Sequence, residues 1–172
     1  YISASQTSTT HVNLALAGHA IQSSTTDGGT PDRAIDGNQS GVFSNNSVTQ
    51  TRKQKHPWWE VDLDTSHQID RIRIWRRADC CSHNLSQFYV FVSDEPFKSS
   101  KLKKVRKQRG VGAYYIENID GPYVDIPVYR EGRYIRIQLT HKNVLNLAEV
   151  EVFGSNDVST QTVVADYQDD FQ

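Results

Sequence analysis

Arg77, Asp79, Cys80 and Cys81 crowd into the stretch "WRRADCCSHN". An arginine two places before an aspartate in extended chain puts both side chains on one side, where the carboxylate can aim the guanidinium through a charge-assisted hydrogen bond. The donors left over suit a pair of adjacent sugar hydroxyls. The alternative is a plain surface ion pair. Cys80 and Cys81 are the only two cysteines of the chain. Neighbours on a trans peptide have Cα atoms ~3.8 Å apart, closer than the ~4.4–6.8 Å of an ordinary disulfide. A bond between them is strained, and strain tends to collect at functional sites. Two reduced, buried thiols are the other reading.

A second cluster, "RAIDGNQSGVFSNNS" over Arg33 to Ser47, is dense in oxygen-bearing side chains and turn residues. Calcium takes about six to eight oxygen ligands from a loop that curls around it. An ordinary Asx-rich turn has the same composition. Catalytic signatures are missing: there is no G-x-S-x-G, H-E-x-x-H, P-loop or G-x-G-x-x-G. Six histidines are scattered without zinc-ligand spacing. Glu60 and Asp62, like Glu149 and Glu151, alternate with apolar residues and read as a solvated sheet face. The chain is expected not to be an enzyme.

Strands must position these loops. "WWEVDLD", "IDRIRIW", "FYVFVSD", "AYYIENI", "YVDIPVY", "RYIRIQLT" and "AEVEVFG" alternate with period two and are rich in β-branched and aromatic residues. Ile72 and Ile74 share one face, as do Ile135, Ile137 and Leu139, with charged residues on the other. No long helix is written, and the turn signals between strands predict an all-β antiparallel sandwich or jelly roll. With 172 residues, the chain fits one such domain plus tails. A formal charge of −1 argues against a nucleic-acid binder carried by bulk charge. The charge is uneven: "KLKKVRKQR", Lys101 to Arg109, carries six cations in nine residues and is expected to be a solvated face. No apolar run reaches the ~20 residues of a membrane span, so no membrane insertion is expected. The Ser/Thr-rich segment 1–12 reads as a linker, 13–155 as the domain, and 156–172 as a linker running into a following domain.

Taken together, "NLALAGHAIQSST", "RAIDGN", "PWWEVDL", "RRADCC", "FVSDEPF", "RYIRIQL" and "LNLAEVEVFG" resemble the F-type lectin (fucolectin) family of the galactose-binding-like superfamily. The resemblance implies a jelly roll with a sugar pocket among loops at one end and a structural calcium ion. It implies that Arg77 and Asp79 contact the sugar and that Cys80 and Cys81 form a vicinal disulfide against its ring, which places the domain outside reducing compartments. Gln50 stands where the family has histidine, and Asn84 where it has a second basic residue. Both still exchange hydrogen bonds with a neutral sugar, but without a cationic fork. Arg52, Lys53, His56 and His83 could return charge to the rim, favouring a sulfated or uronic-acid glycan. Phe43 aligns with the family's apolar wall, or is a packed loop aromatic. For calcium, the resemblance implies the carbonyls of Arg33, Asn38 and Ala148, the carboxylates of Asp36 and Glu149, and the Ser47 hydroxyl.

The function these residues imply is a non-catalytic carbohydrate-binding module taking fucose-related or anionic glycans and targeting a secreted multidomain parent, such as a glycan-degrading enzyme, to polysaccharide. A discoidin-type adhesion module binding protein or phospholipid is the alternative.

Overall fold

The computed structural model describes residues 9–157. Two long strands carry the architecture. The segments at Trp58 and Ile69 fuse into one strand, and those at Tyr123 and Arg133 into another. In chain order the elements are β1 (Thr9–Asn13), β2 (His19–Gln22), β3 (Gln54–Lys55), β4 (Trp58–Trp75), β5 (Phe88–Ser93), α1 (Leu102–Lys107), β6 (Gly112–Ile116), β7 (Tyr123–Leu139), β8 (Lys142–Asn143) and β9 (Glu149–Asp157). All pairings are antiparallel. The ladder between β4 and β7 runs from Trp58 opposite Gln138 to Trp75 opposite Tyr123, with register breaks between Asp62 and His67 and between Ile69 and Arg71. Such bulges bend a strand. Before the bend β4 pairs with β2 and beyond it with β9, so one chain segment serves both layers of the sandwich. β5 and β6 extend the first layer, and β1 closes the second on β9.

Alternation then fills the space between layers. Ile72, Ile74, Ile135, Ile137 and Leu139 are fully buried, with Trp59, Phe88, Leu145 and Leu147 around them. The opposite face is not uniformly solvated. Arg136 and Gln138 are buried too, because the segment before α1 lies over them: Arg136 Nη1 donates to the Ser99 carbonyl at 2.6 Å and Gln138 Nε2 to that of Ser100 at 2.8 Å. Arg136 pairs with Glu60 at 2.9 Å and its guanidinium lies over the Trp58 and Phe97 rings. Glu149 and Glu151, expected on a solvated face, are also buried. The loop after Ile35 covers them, with Gly37 N donating to Glu149 and Gln39 Nε2 to Glu151.

Strand β1 starts inside the segment expected to be a linker, and β9 runs past Ser155 to Asp157, so the folded unit is wider at both ends than 13–155. The rest of the expected linkers, residues 1–8 and 158–172, lies outside the described residues. No helix among the described residues is long and apolar enough to cross a membrane.

Removing one partner of a buried ion pair strands the other charge, at a cost of about 3–5 kcal/mol. Glu60→Ala is therefore expected to lower the urea midpoint sharply, and Glu60→Gln with Arg136→Met to recover most of the loss.

Candidate functional site

The ladder of β4 stops at Trp75 rather than near Asp79, but backbone hydrogen bonds still hold the chain beyond it. Arg76 N donates to the Pro122 carbonyl, and Ala78 N and Asp79 N to that of Gly41, at 2.8 and 3.3 Å. A Cβ on Gly41 would lie 2.7 Å from the Ala78 nitrogen, so only glycine lets these two segments touch. The expected geometry of Arg77 and Asp79 survives. Arg77 Nε donates to Asp79 Oδ1 at 2.6 Å and Nη2 to Oδ2 at 3.4 Å, and Phe43 N donates to Oδ2 at 3.1 Å. The hydrogen bond from Arg77, assisted by the Phe43 amide, holds the Asp79 carboxyl below its ordinary range, so it stays an anion that aims the guanidinium.

Gln50 joins the same network. Its Oε1 accepts from Arg77 Nη1 at 3.1 Å and Asn146 Nδ2 at 3.2 Å. Its Nε2 donates to Asp27 Oδ2 at 2.8 Å and Thr26 Oγ1 at 3.1 Å. That uses the whole capacity of a primary amide, so Gln50 reaches a sugar hydroxyl only by releasing one of these partners. Thr26, Asp27 and Asn146 escaped the sequence reading. Asp27 opens a "DGG" turn and Asn146 sits in "LNLAE", but their convergence on Gln50 is a tertiary fact without a local signal. Gly29 permits it, since a Cβ there would fall 2.5 Å from the Gln50 nitrogen.

Cys80 and Cys81 are joined as a vicinal disulfide with Cα atoms 3.7 Å apart, and both are exposed. Cys81 adopts a left-handed conformation (φ 58°) that starts the 3-10 turn Ser82–Asn84. Asn84 faces β8, its Oδ1 accepting from Asn143 Nδ2 at 3.4 Å. Phe43 lies close to two cations, 4.8 Å from the Arg77 guanidinium carbon and 5.4 Å from that of Arg33. Arg52 is exposed, tied by its backbone N–H to Ser24 Oγ at 2.9 Å. His56 lines a different hollow, beside Lys55 and Trp58. The structure thus brings Arg77, Asp79, Gln50 and Phe43 together, with the disulfide next along the chain. Unspent guanidinium N–H groups, carboxylate oxygens and an apolar two-sulfur surface can receive hydroxyls and a ring face.

The oxygen-rich loop packs on the start of β9. Asp36 Oδ1 accepts from Asn38 N at 2.9 Å, Asn38 Oδ1 from Ser40 N at 3.0 Å, and Ser47 Oγ donates to the Ser40 carbonyl at 2.6 Å. Glu149 Oε2 accepts from Gly37 N at 2.7 Å, while its Oε1 is buried without a hydrogen-bond partner. Burial, with the neighbouring Asp36 adding to it against the pull of the Gly37 amide, pushes the Glu149 carboxyl up to about 9. A buried, half-satisfied carboxylate beside a second one is what a hard cation neutralises. The all-oxygen surroundings fit calcium better than a nitrogen- or sulfur-seeking metal, and no group of three His, Cys, Asp or Glu suited to a metal occurs among the described residues. Arg33 sends its side chain elsewhere, to the Val48 carbonyl and to Asn46.

The model of the "NedA-like, galactose-binding domain" family matches residues 33–137. Fucolectin-1 of Anguilla japonica is 30% identical over 145 residues, covering 81% of this chain and 79% of that protein. A Streptococcus pneumoniae fucose binding module superposes with a TM-score of 0.73 at 34% identity, covering 84% of this chain and 96% of the module. A fucolectin from Morone saxatilis serum gives 0.72 at 33% identity, covering 84% of this chain and 49% of that one.

Folded chain holds a proton on Glu149 up to about 9, where the unfolded chain releases it near 4.5. Between those values the folded state binds the extra proton, so its stability is greatest at the acid end and is lost as pH rises through the window. In chelator-treated protein the urea midpoint should fall across that range, and Glu149→Gln should flatten the fall.

Proposed function

The chain belongs to the F-type lectin (fucolectin) family of the galactose-binding-like superfamily, and from that premise we propose that it is a non-catalytic module binding fucose-related or anionic glycans through the Arg77 pocket. The observation that carries this reading is the Arg77–Asp79 fork beside an exposed Cys80–Cys81 bond. Asp79 fixes the guanidinium before a ligand arrives, so little is lost in ordering it. The remaining N–H groups donate to adjacent hydroxyls, and the disulfide packs against the ring. The fucose-binding module of Streptococcus pneumoniae supports the sugar class. Gln50 acts chiefly by positioning Arg77, and the exposed Asp27 adds a carboxylate at the pocket edge. Arg52 and Asn84 belong to its outer rim. Affinity for one sugar is modest, because such a pocket trades water hydrogen bonds for protein ones at small net gain.

Calcium completes the module in this reading. Asp36, Glu149 and Ser47 hold it with the carbonyls of Arg33, Asn38 and Ala148. Bound there, the ion neutralises the facing carboxylates and stiffens the loop that carries Phe43. Serum occurrence of the striped-bass relative and the vicinal disulfide support an extracellular setting. Attached to a larger secreted protein, the module raises the local concentration of its partner domains at polysaccharide.

A glycan array of fucosylated, sulfated and uronic-acid structures tests the pocket. Arg77→Ala is expected to weaken the hits roughly 10- to 100-fold, the worth of hydrogen bonds to a charged group. Replacing both cysteines by serine should weaken binding while leaving the melting temperature nearly unchanged, since both are exposed. Fucosylated hits that survive Arg77→Ala at full strength would exclude the pocket.

Calcium has its own readout. Its addition to chelator-treated protein should raise the melting temperature and remove the pH dependence due to Glu149. A melt indifferent to calcium would exclude the ion.

A further inference from the structure

The run Lys101 to Arg109 is more than a solvated face. It folds as α1, which buries Val105 and sends its cations to two hollows. Lys101, Lys103 and Arg106 line one of about 540 Å³, whose other wall is Lys55 and Trp58. Lys98, Lys104, Lys107 and Arg109 line a second of about 540 Å³. No carboxylate lines either hollow. Elsewhere five arginines of this domain pair with acids: Arg71 and Arg73 with Asp125, Arg77 with Asp79, Arg133 with Asp62, Arg136 with Glu60. The cations around α1 form no ion pair among the described residues.

This arrangement is unfavourable for the helix itself. Its first turn carries no acid, although the positive end of a helix favours one. Lys103 faces Arg106 and Lys107 at the spacings where like charges repel, and Lys104 faces Lys107. A local rule broken in this way marks a place where function sets the sequence.

The first hollow also has fixed walls. Buried Gln138 donates to the His56 carbonyl on one side at 3.0 Å and to the Ser100 carbonyl on the other at 2.8 Å. Arg136 holds the adjacent Ser99 carbonyl and lies beneath the Trp58 ring face at 4.7 Å. The result is a concave cationic groove with an aromatic ring in its wall.

We propose that this groove is a second binding site, separate from the Arg77 pocket, for a polyanionic polysaccharide carrying sulfate or carboxylate groups. None of Arg77, Asp79 or Gln50 lines it. Lys55, Lys101, Lys103 and Arg106 meet the anionic groups, and Trp58 offers a sugar ring a flat surface. A chain crossing α1 meets the second set of cations. A lipid surface fits less well, because the site is a hollow and not an apolar protrusion. Anionic polymer and pocket sugar would then be held at once, and avidity follows from the tether between them.

Binding of the full chain to dextran sulfate, followed by tryptophan fluorescence and by calorimetry over a salt series, tests this. The expected result is binding that weakens steeply with salt, as counterion release requires, with neutral dextran inert. Lys101→Gln, Lys103→Gln and Arg106→Gln together should weaken it by about tenfold, as lost exposed ion pairs do. Retained fucosylated hits on the glycan array show that the triple variant is folded and that the two sites are independent. Should the triple variant misfold, loss of the fluorescence change in Trp58→Phe reports the same groove. Dextran sulfate that fails to bind at low salt, a triple variant that binds like the parent, or tighter binding to phosphatidylserine vesicles or a single-stranded oligonucleotide would overturn the proposal.

Discussion

Every feature with chemical meaning hangs from the ladder between β4 and β7. Its register, which runs from Trp58 facing Gln138 through two bulges to Trp75 facing Tyr123, fixes what each strand delivers at its ends. The end of β4 delivers Arg77 and Asp79 to the loops. The C-terminal half of β7 delivers Arg136 and Gln138 to the outer face, where they bind the segment leading into α1. A slip of one residue would exchange the faces and lose the pocket and the groove together with the core.

Polar burial follows a consistent logic. Arg136 with Glu60 and the Ser99 carbonyl, and Gln138 with two carbonyls, fasten loops to the sheet through desolvated groups, and Asn146 with Gln50 and Thr49 ties one loop to another. Loops bearing function need such fastening, because surface segments otherwise have few contacts to fix them. Glu149, too, leaves one oxygen unanswered, as do the Gln138 and Asn146 side-chain oxygens, and it lies where the oxygen-rich loop meets the sheet. What sets it apart is that it is a carboxylate whose proton affinity is raised by burial and by the neighbouring Asp36.

Much of this was legible in the chain. Period two identified Ile72, Ile74, Ile135, Ile137 and Leu139 as core, and the i, i+2 spacing placed Arg77 beside Asp79. These are local properties that survive whatever the rest of the chain does. The fusion of segments into β4 and β7 was hidden, since the register break between Asp62 and His67 interrupts the period-two pattern without ending the strand. Hidden too were the burial of Arg136, Glu149 and Glu151, which depends on what loop lies above a face, and the gathering of Thr26, Asp27 and Asn146 around Gln50. The cationic run was visible, yet only the folded chain shows that no acid stands opposite it.

The pairing of β1 with β9 sets Thr9 opposite Asp157 and Asn13 opposite Phe153, so the entry and exit of the folded unit lie side by side. Joining them through a short bridge and opening the chain at a surface turn should preserve the architecture, as circular permutation commonly does when ends are adjacent. The same adjacency governs the response to tension. Force applied through these two ends opens the β1–β9 ladder like a zipper, one hydrogen bond at a time, instead of loading all of its bonds in shear.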